Sequence, residues 1–278
     1  MNKINFIAIL LFSLLALTIG DSVKQAAPKK KLIQLTEDNV VTLRGEINGL
    51  STAKFLSKLL SLQSNEIYIY LVTPGGSVIH GSQIVSAIDA LVQQGKKVYC
   101  VSDVAASMGF VITQACPTRY IRENSILMQH QMSLGLEGPL EQVKSRLNFT
   151  YQMNEHLKTM QYTRLNMTER QYFDTVNNDW WMYGNNALKN NAADEIVNVV
   201  CSQELLKGKN KVTVYTFFGS FELVYSDCSV IWDPLDIKLS TVGNEASLMK
   251  HIEENKEKYY MSEYVNKQLT QQNINTGK

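Results

Sequence analysis

The chain has almost no net charge and no dense basic cluster in its central part. Its 27 lysines and arginines nearly balance 26 aspartates and glutamates, which leaves a formal net charge of +1 at pH 7. Domains that bind nucleic acid carry a basic patch or stripe that neutralises phosphate groups. Because the sequence lacks such a patch, we set nucleic acid aside as its main partner.

The N-terminal segment is typical of a signal peptide that lacks a lipobox cysteine. Residues 1–20 contain one lysine and then an apolar run from Phe6 to Leu17, with Thr18 and Gly20 near the expected cleavage point. An uncleaved membrane anchor is the alternative, because the run approaches the length that spans a bilayer. We expect a periplasmic or secreted protein, or one anchored by this segment, and favour a cytoplasmic location less.

Cysteine is scarce, and no two of the four cysteines form a Cys-x-x-Cys unit. That spacing does not predict a zinc site, and the sequence predicts neither a metal nor a cofactor. An even number of cysteines in an exported chain permits disulfides. Cys201 and Cys228 are the better candidate pair, whereas Cys100 is either a buried strand thiol or the partner of Cys116.

Length and composition fit one large domain with additions at both ends. The chain has 278 residues, 45% of them apolar, which suffices for a full hydrophobic core. We expect a polar linker at 21–31, the main domain at 32–200 and a C-terminal extension at 201–278. In the extension, two runs in which apolar and polar residues alternate lie on either side of Gly219-Ser220 and predict a hairpin. The pattern of residues 245–265 predicts a charged helix.

Strands and helices alternate along the main domain, which is typical of a parallel sheet with right-handed crossovers. Apolar periodicity predicts a strand within 32–45, a helix at 51–62, a strand from Glu66 to Val72, a helix from Ser77 to Gln94, a strand from Lys97 to Val101, a helix from Ser107 to Ala115, and paired short strands around Tyr120 and Leu127. Active sites on such sheets lie where strand ends meet helix starts.

Ser107 lies at such a junction, between a predicted buried strand and a predicted core helix. Its neighbours are small, with Ala105 and Ala106 before it and Gly109 after Met108. A hydroxyl nucleophile needs a sharp turn that exposes its Oγ, and small neighbours let a substrate approach. The free N–H groups at the helix start favour an anion there. Ser107 is therefore the candidate nucleophile.

Two other junctions supply groups that a hydroxyl nucleophile requires. Gly75 and Gly76 follow Pro74 at the end of a strand, and glycines let the backbone turn its N–H groups toward a bound carbonyl, as in an oxyanion hole. His130 closes an apolar strand downstream of Ser107 and is a candidate general base.

These residues resemble those of the proteolytic subunit of the Clp protease, in the same order and at similar spacing. The matching segments are Pro74-Gly75-Gly76, Ala105-Ala106-Ser107-Met108-Gly109 and His130-Gln131, and the resemblance extends over about Gln34 to Val200. It implies a ClpP/crotonase-like α/β fold with a repeated β-β-α spiral core, a parallel sheet and a long handle helix. It also implies a catalytic triad of Ser107, His130 and Asp179. The implied oxyanion hole consists of the backbone amides of Gly75 and Met108.

The resemblance also bears on assembly, although the chain departs from the family pattern at Met132 and at Trp180. The periodic segment from Pro139 to Leu165 corresponds to the handle helix by which two rings pack, after a strand containing Gly135 and Gly138. A helix folded back on its own domain is the alternative. A homo-oligomer is implied, with an ATP-driven unfoldase as partner only if the protein is cytoplasmic.

The implied function is that of a serine endopeptidase that cleaves peptides or unfolded proteins. One alternative is a catalytically inactive scaffold or binding subunit with this fold, which loss of the serine or histidine would mark, and neither is lost. Another is a signal-peptide-peptidase-like membrane serine protease, which uses a lysine base. His130 and Asp179 argue against that enzyme.

Overall fold

The computed structural model describes residues 29–240 and 245–275, and residues 31–278 form one compact unit. The predicted signal peptide or anchor at 1–20 and most of the predicted linker at 21–31 lie outside the described residues. Within the described ranges, no helix is both long and apolar enough to cross a membrane.

The strands form a central mixed sheet and two smaller sheets. In chain order they are β1 (Leu32–Leu35), β2 (Val40–Arg44), β3 (Glu66–Thr73), β4 (Lys97–Ala106), β5 (Thr118–Gln129), β6 (Trp180–Tyr183), β7 (Glu195–Ile196), β8 (Asn198–Cys201), β9 (Lys209–Thr216), β10 (Gly219–Ser226) and β11 (Asp236–Leu239). Strands β2 to β5 are consecutive parallel neighbours, and β6 joins β5 antiparallel. This arrangement confirms the predicted α/β architecture with a parallel sheet.

Some of the helices of the described residues begin at side chains that cap them. In chain order they are α1 (Gly49–Ser61), α2 (Val78–Gln93), α3 (Met108–Ala115), α4 (Leu140–Arg164), α5 (Glu169–Val176), α6 (Asn185–Lys189), α7 (Gln203–Lys207), α8 (Glu245–Glu254), α9 (Lys256–Tyr259) and α10 (Met261–Asn275). Asn48 and Thr168 form capping boxes on α1 and α5, and Ser77 caps α2. These side chains satisfy N–H groups that have no partner inside the helix.

The central sheet is buried on both faces. All of β3 after its first residue is buried, as expected for an apolar run in a parallel sheet covered on both sides. On one face, Ile69 and Leu127 share a hydrophobic cluster with residues of α1 to α4. On the other, Tyr70 and Val101 share a cluster with Val265 of the C-terminal extension. The extension therefore packs on the face opposite the helices.

Polar contacts hold the extension to this face, and the two disulfides lie within the parts they join, one inside the extension and one inside the main domain. The Cys201–Cys228 disulfide confirms the predicted pair, and a second disulfide joins Cys100 to Cys116. The carboxylate of Asp103 in β4 accepts hydrogen bonds from Tyr70 Oη, Arg122 Nη1 and Trp232 Nε1 at 2.6–2.7 Å. We refer to these four residues as the Asp103 cluster.

Helix α4 packs on its own domain along only one half. Leu157 and Gln161 are buried in its C-terminal half, whereas Leu140, Phe149 and Tyr151 in the N-terminal half are exposed. The helix confirms the periodic segment predicted from 139 to 165. Its C-terminal half follows the alternative of a helix folded back on its domain.

Several predicted element boundaries in the main domain are wrong. The single strand predicted within 32–45 is split into β1 and β2 by a turn in which Asn39 Oδ1 accepts the Thr36 N–H. The paired short strands predicted around Tyr120 and Leu127 are one strand, β5. Its polar middle, residues 122–125, is left out of the ladder with β4, where the register shifts between Ser102 and Val104, and Arg122 there pairs with the buried Asp103. The connection before α4 that contains Gly135 and Gly138 forms no strand.

The extension contains the predicted hairpin, with a different turn. Thr216 pairs with Gly219, so Phe217 and Phe218 form the turn instead of Gly219-Ser220. The single charged helix predicted at 245–265 is divided into α8, α9 and α10, with interruptions at Asn255 and Tyr260.

Candidate active site

Ser107 joins the end of β4 to the start of α3 through a strained turn. Its φ of 54° and ψ of −118° lie in a region that residues other than glycine rarely adopt. Such a conformation costs about 1–3 kcal/mol and persists only where the surrounding structure enforces it. Here the Ser107 N–H donates to Met128 O at 2.9 Å, which ties the turn to β5. The hydroxyl faces a cavity at the end of the sheet.

The pairing of β4 with β5 brings His130 to Ser107. Ala106 lies opposite Met128, so the residues that follow the two strands meet at the same sheet edge. His130 Nε2 lies 2.8 Å from Ser107 Oγ. This is a hydrogen-bond distance, and a histidine in this position can accept the serine proton.

The turn after β3 lies directly against the serine. A Cβ atom added at Gly75, whose φ is 91°, would come within 2.7 Å of Ser107 Cβ and 2.9 Å of Met108 N. Only glycine accommodates both this φ and this close approach. The glycine turn therefore lies beside the first N–H group of α3.

Two backbone donors next to the serine have no protein acceptor. The Gly75 N–H donates to Thr73 Oγ1 at 3.1 Å and is engaged in this structure. Among the described residues, the N–H groups of Gly76 and Met108 bond no protein acceptor, and both residues line the cavity with Ser107. The sequence predicted the glycine pair as a source of oxyanion donors, and of the two glycines the resemblance assigned the role to Gly75 alone. The oxyanion role of Gly75 stays a prediction.

Asp179 lies close to the histidine in the sheet register without bonding to it. Gln129 pairs with Trp180 in the antiparallel β5–β6 ladder, so the residues just outside this pair are His130 and Asp179. Asp179 is exposed and, within the described ranges, forms no hydrogen bond to His130, whose Nδ1 has no partner. The triad role of Asp179 therefore stays a prediction.

The neighbouring carboxylates are less suited to that role because arginines hold them. Arg170 Nε lies 2.8 Å from Asp174 Oδ2, and Arg119 Nη2 lies 2.5 Å from Asp194 Oδ1. Although burial opposes it, the hydrogen bonds from Arg119 lower the pKa of Asp194 below its usual value. Asp179 has no ion pair within the described residues, which leaves its carboxylate free to bind a histidine.

A cavity of about 650 Å³ opens beside Ser107 and His130, between α3, α4 and α5. Its wall includes apolar side chains, and it also contains three buried polar residues that sequence reasoning missed: Gln129, Gln161 and Tyr172. A polar residue on the buried face of α4, one turn after Leu157, was the available signal for Gln161. Elsewhere in the described chain, no group of three or more His, Cys, Asp or Glu side chains could hold a metal ion.

The fold and the site define a parallel α/β protein that presents a serine–histidine pair beside a glycine turn. The family model of the Clp protease matches residues 24–200, which is more than half of the chain. The chain therefore belongs to the Clp protease family, and the predicted resemblance is confirmed. Residues 201–278 lie outside the match.

Curated relatives share modest identity with this chain. An ATP-dependent Clp protease proteolytic subunit of Borrelia garinii subsp. bavariensis is 24% identical over 171 residues, which cover 59% of this chain and 87% of the relative. Proteins of the same name from Streptococcus equi subsp. equi and Streptococcus pyogenes serotype M5 are 27% and 26% identical over 172 residues, with the same coverage. These similarities support a peptidase of the Clp protease type.

Proposed function

We propose that this protein is a serine endopeptidase that hydrolyses peptides or unfolded proteins, with Ser107 as nucleophile and His130 as general base. The observation that carries the proposal is the 2.8 Å contact between Ser107 Oγ and His130 Nε2. It lies at a strand-to-helix turn, inside the region that matches the Clp protease family.

In the proposed reaction, His130 Nε2 accepts the Ser107 proton while Oγ attacks the peptide carbonyl, and it then gives the proton to the leaving amine. Water hydrolyses the acyl-enzyme by the same route. The negative charge on the carbonyl oxygen is stabilised by the Met108 N–H at the start of α3 and by a donor of the glycine turn, Gly75 or Gly76. The close approach of this turn to Met108 supports that arrangement.

We assign Asp179 the task of binding His130 Nδ1, which holds the ring and stabilises its charged form. The β5–β6 register and the absence of an ion pair at Asp179 support this assignment. Catalytic hydrogen bonds are often long or misaligned without substrate, so a contact that forms on binding is compatible with the proposal.

Assembly and location form a second part of the proposal. The exposed apolar side chains on the N-terminal half of α4 support a homo-oligomer that buries them. The relatives are named as subunits of an ATP-dependent protease, so an ATP-driven unfoldase is the partner we propose for a cytoplasmic form. We favour an exported or membrane-anchored protein that acts on peptides or unfolded chains unaided.

Hydrolysis of fluorogenic peptides by the wild type and by Ser107→Ala tests the proposal. Removal of the nucleophile should lower turnover by several orders of magnitude. Ser133→Ala is a matched control, since it removes a hydroxyl from the same cavity without touching the proposed chemistry. Undiminished turnover by purified Ser107→Ala protein would refute the assignment.

A further inference from the structure

The cavity beside Ser107 is lined by buried apolar side chains and by buried polar ones. Met108, Val111, Leu157 and Val176 line the wall, and all four are buried. Such a wall suits the methylene groups of a substrate side chain, because burial of apolar area on both partners is favourable. A pocket for purely aliphatic side chains would be apolar throughout.

Three buried polar side chains that line the cavity are connected to one another, and we call them the polar floor: Gln129, Gln161 and Tyr172. They are 4%, 3% and 4% exposed. Gln129 Nε2 donates to Gln161 Oε1 and lies 3.4 Å from Tyr172 Oη, and Gln129 Oε1 accepts the His130 N–H at 3.1 Å. The floor is therefore fixed relative to the catalytic histidine.

The polar floor keeps hydrogen-bonding groups that the described residues do not use. Gln161 Nε2 donates one N–H to Leu157 O at 3.1 Å, which leaves its second N–H open. The Tyr172 hydroxyl proton has no acceptor, and burial raises the pKa of Tyr172 to about 12, partly offset by Gln129 and Lys158, so the proton is retained at neutral pH. Gln129 Oε1 keeps one open lone pair.

The charges at the cavity are already paired. Among the described residues that line the cavity, Lys158 is the one lysine, and no arginine is present. Its Nζ lies 2.7 Å from Glu155 Oε1 and 2.6 Å from Glu169 Oε1. A substrate carboxylate would therefore find Lys158 already paired and would meet the carboxylate of Glu155, which also lines the cavity. A substrate ammonium would meet a glutamate that Lys158 already neutralises and a floor made mainly of donors.

We propose that the polar floor binds the side chain of the substrate residue next to the scissile bond and selects a carboxamide, that of glutamine or asparagine. This inference rests on the proposed peptidase function. The carboxamide oxygen would accept from Tyr172 Oη and Gln161 Nε2, and its NH₂ group would donate to Gln129 Oε1. An aliphatic side chain of similar size would leave these buried groups unpaired, which is costly.

Cleavage of a defined peptide mixture, with the cut sites mapped by mass spectrometry, identifies the preferred residue on either side of the scissile bond. Matched fluorogenic peptides that carry Gln, Asn, Leu, Met or Glu at that position then give kcat/KM. The carboxamide peptides should exceed the Leu and Glu peptides by about 10-fold or more, because a site built for hydrogen bonds rejects side chains that lack them.

Variants of the floor separate recognition from folding. Gln161→Leu and Tyr172→Phe should each lower kcat/KM for the Gln peptide about 10-fold while the Leu peptide is unchanged or cleaved faster. Gln152→Leu and Tyr183→Phe change the same residue types at exposed positions outside the cavity. They should leave kcat/KM unchanged for both the Gln and the Leu peptide. Equal losses for both peptides in the floor variants would overturn the proposal.

Binding distinguishes failure of the pocket from failure of the enzyme. Calorimetry with Ser107→Ala protein should show the Gln peptide binding about 10-fold tighter than the Leu peptide, without turnover. If the wild type cleaves Leu peptides as fast as Gln peptides, the specificity is refuted while the peptidase function stands. If nothing is cleaved but the Gln peptide binds selectively, the peptidase function fails and the recognition stands. Equal binding of both peptides refutes the recognition.

Discussion

Two polar residues four positions apart, Asp103 in β4 and Ser107 directly after it, have opposite surroundings. Asp103 is 1% exposed, and three donors from different elements hold its carboxylate in the Asp103 cluster. Ser107 follows the end of the same strand with a strained backbone and a hydroxyl bonded only to His130 among the described residues.

The difference separates a structural polar group from a reactive one. A buried carboxylate whose hydrogen-bonding positions are occupied makes the core more rigid and is not available to react with a substrate. A hydroxyl on a strained backbone turn, beside a base and unbonded N–H groups, keeps hydrogen-bonding groups that a substrate can use. We therefore expect changes at the Asp103 cluster to affect stability and changes around Ser107 to affect turnover.

The largest effect is expected at the serine–histidine pair. Ser107→Ala, His130→Ala and the double variant should all lower kcat to a similar level, several orders of magnitude below wild type, because residues that act as a unit are not additive. The free energy of unfolding, measured in urea, should not fall in Ser107→Ala. Losses that multiply in the double variant would contradict a shared role.

Asp179→Asn should have the next largest effect on turnover, below that of His130→Ala. The aspartate orients the base and stabilises its charge but does not exchange the proton. Asp174→Asn is the matched control, since Asp174 is held by Arg170. If Asp179→Asn left turnover nearly unchanged while Asp174→Asn lowered it strongly, Asp174 would be the residue that orients His130.

Asp103→Ala should lower the free energy of unfolding by about 1–3 kcal/mol, because it leaves the buried Tyr70 hydroxyl and the half-buried Arg122 and Trp232 without their acceptor. Kinetics of the folded fraction, corrected by active-site titration, should stay near wild type. A stable Asp103→Ala protein with impaired turnover would contradict the assignment of Asp103 to stability and of Ser107 to turnover.

The sequence predicted this site well where the signal is local. Small residues around Ser107, the glycine pair and a histidine after an apolar strand follow from chain-local rules, and the alternation of strands and helices defines the sheet edge that joins them. Gln161 and Tyr172 were not predictable in this way. Each lies on a different helix, and only the packing of α4 and α5 brings them to Gln129.

The predicted boundaries of strands and turns are wrong where contacts between residues distant in the sequence override the local pattern. The polar residues in the middle of β5 interrupt the apolar pattern, so the sequence predicted two short strands, whereas the structure has one strand whose register with β4 shifts at this point. The hairpin of the extension turns at Phe217-Phe218 although Gly219 is the stronger local turn signal, because the β9–β10 register decides the pairing.

The exposed half of α4 provides a milder test of the proposed assembly. Leu140→Glu and Phe149→Glu place charge on that half outside the cavity lining and should shift the oligomer toward monomer in light scattering. Leu157 is unsuitable for this purpose because it is buried in the chain's own core. Leu60→Glu, at an exposed position on α1, is the control.

A fully active wild-type monomer at micromolar concentration would contradict the proposed homo-oligomer directly. An oligomer that survives both α4 substitutions would place its interface elsewhere on the chain.

Covalent labelling tests the central claim that Ser107 is an activated nucleophile. Wild-type protein treated with a fluorophosphonate probe should be modified on Ser107, identified by mass spectrometry of the peptide that contains it. His130→Ala should label far more slowly, because the base activates the hydroxyl, and Ser133→Ala should label like the wild type. An unlabelled Ser107 in folded wild-type protein, or equal labelling without His130, would contradict the account.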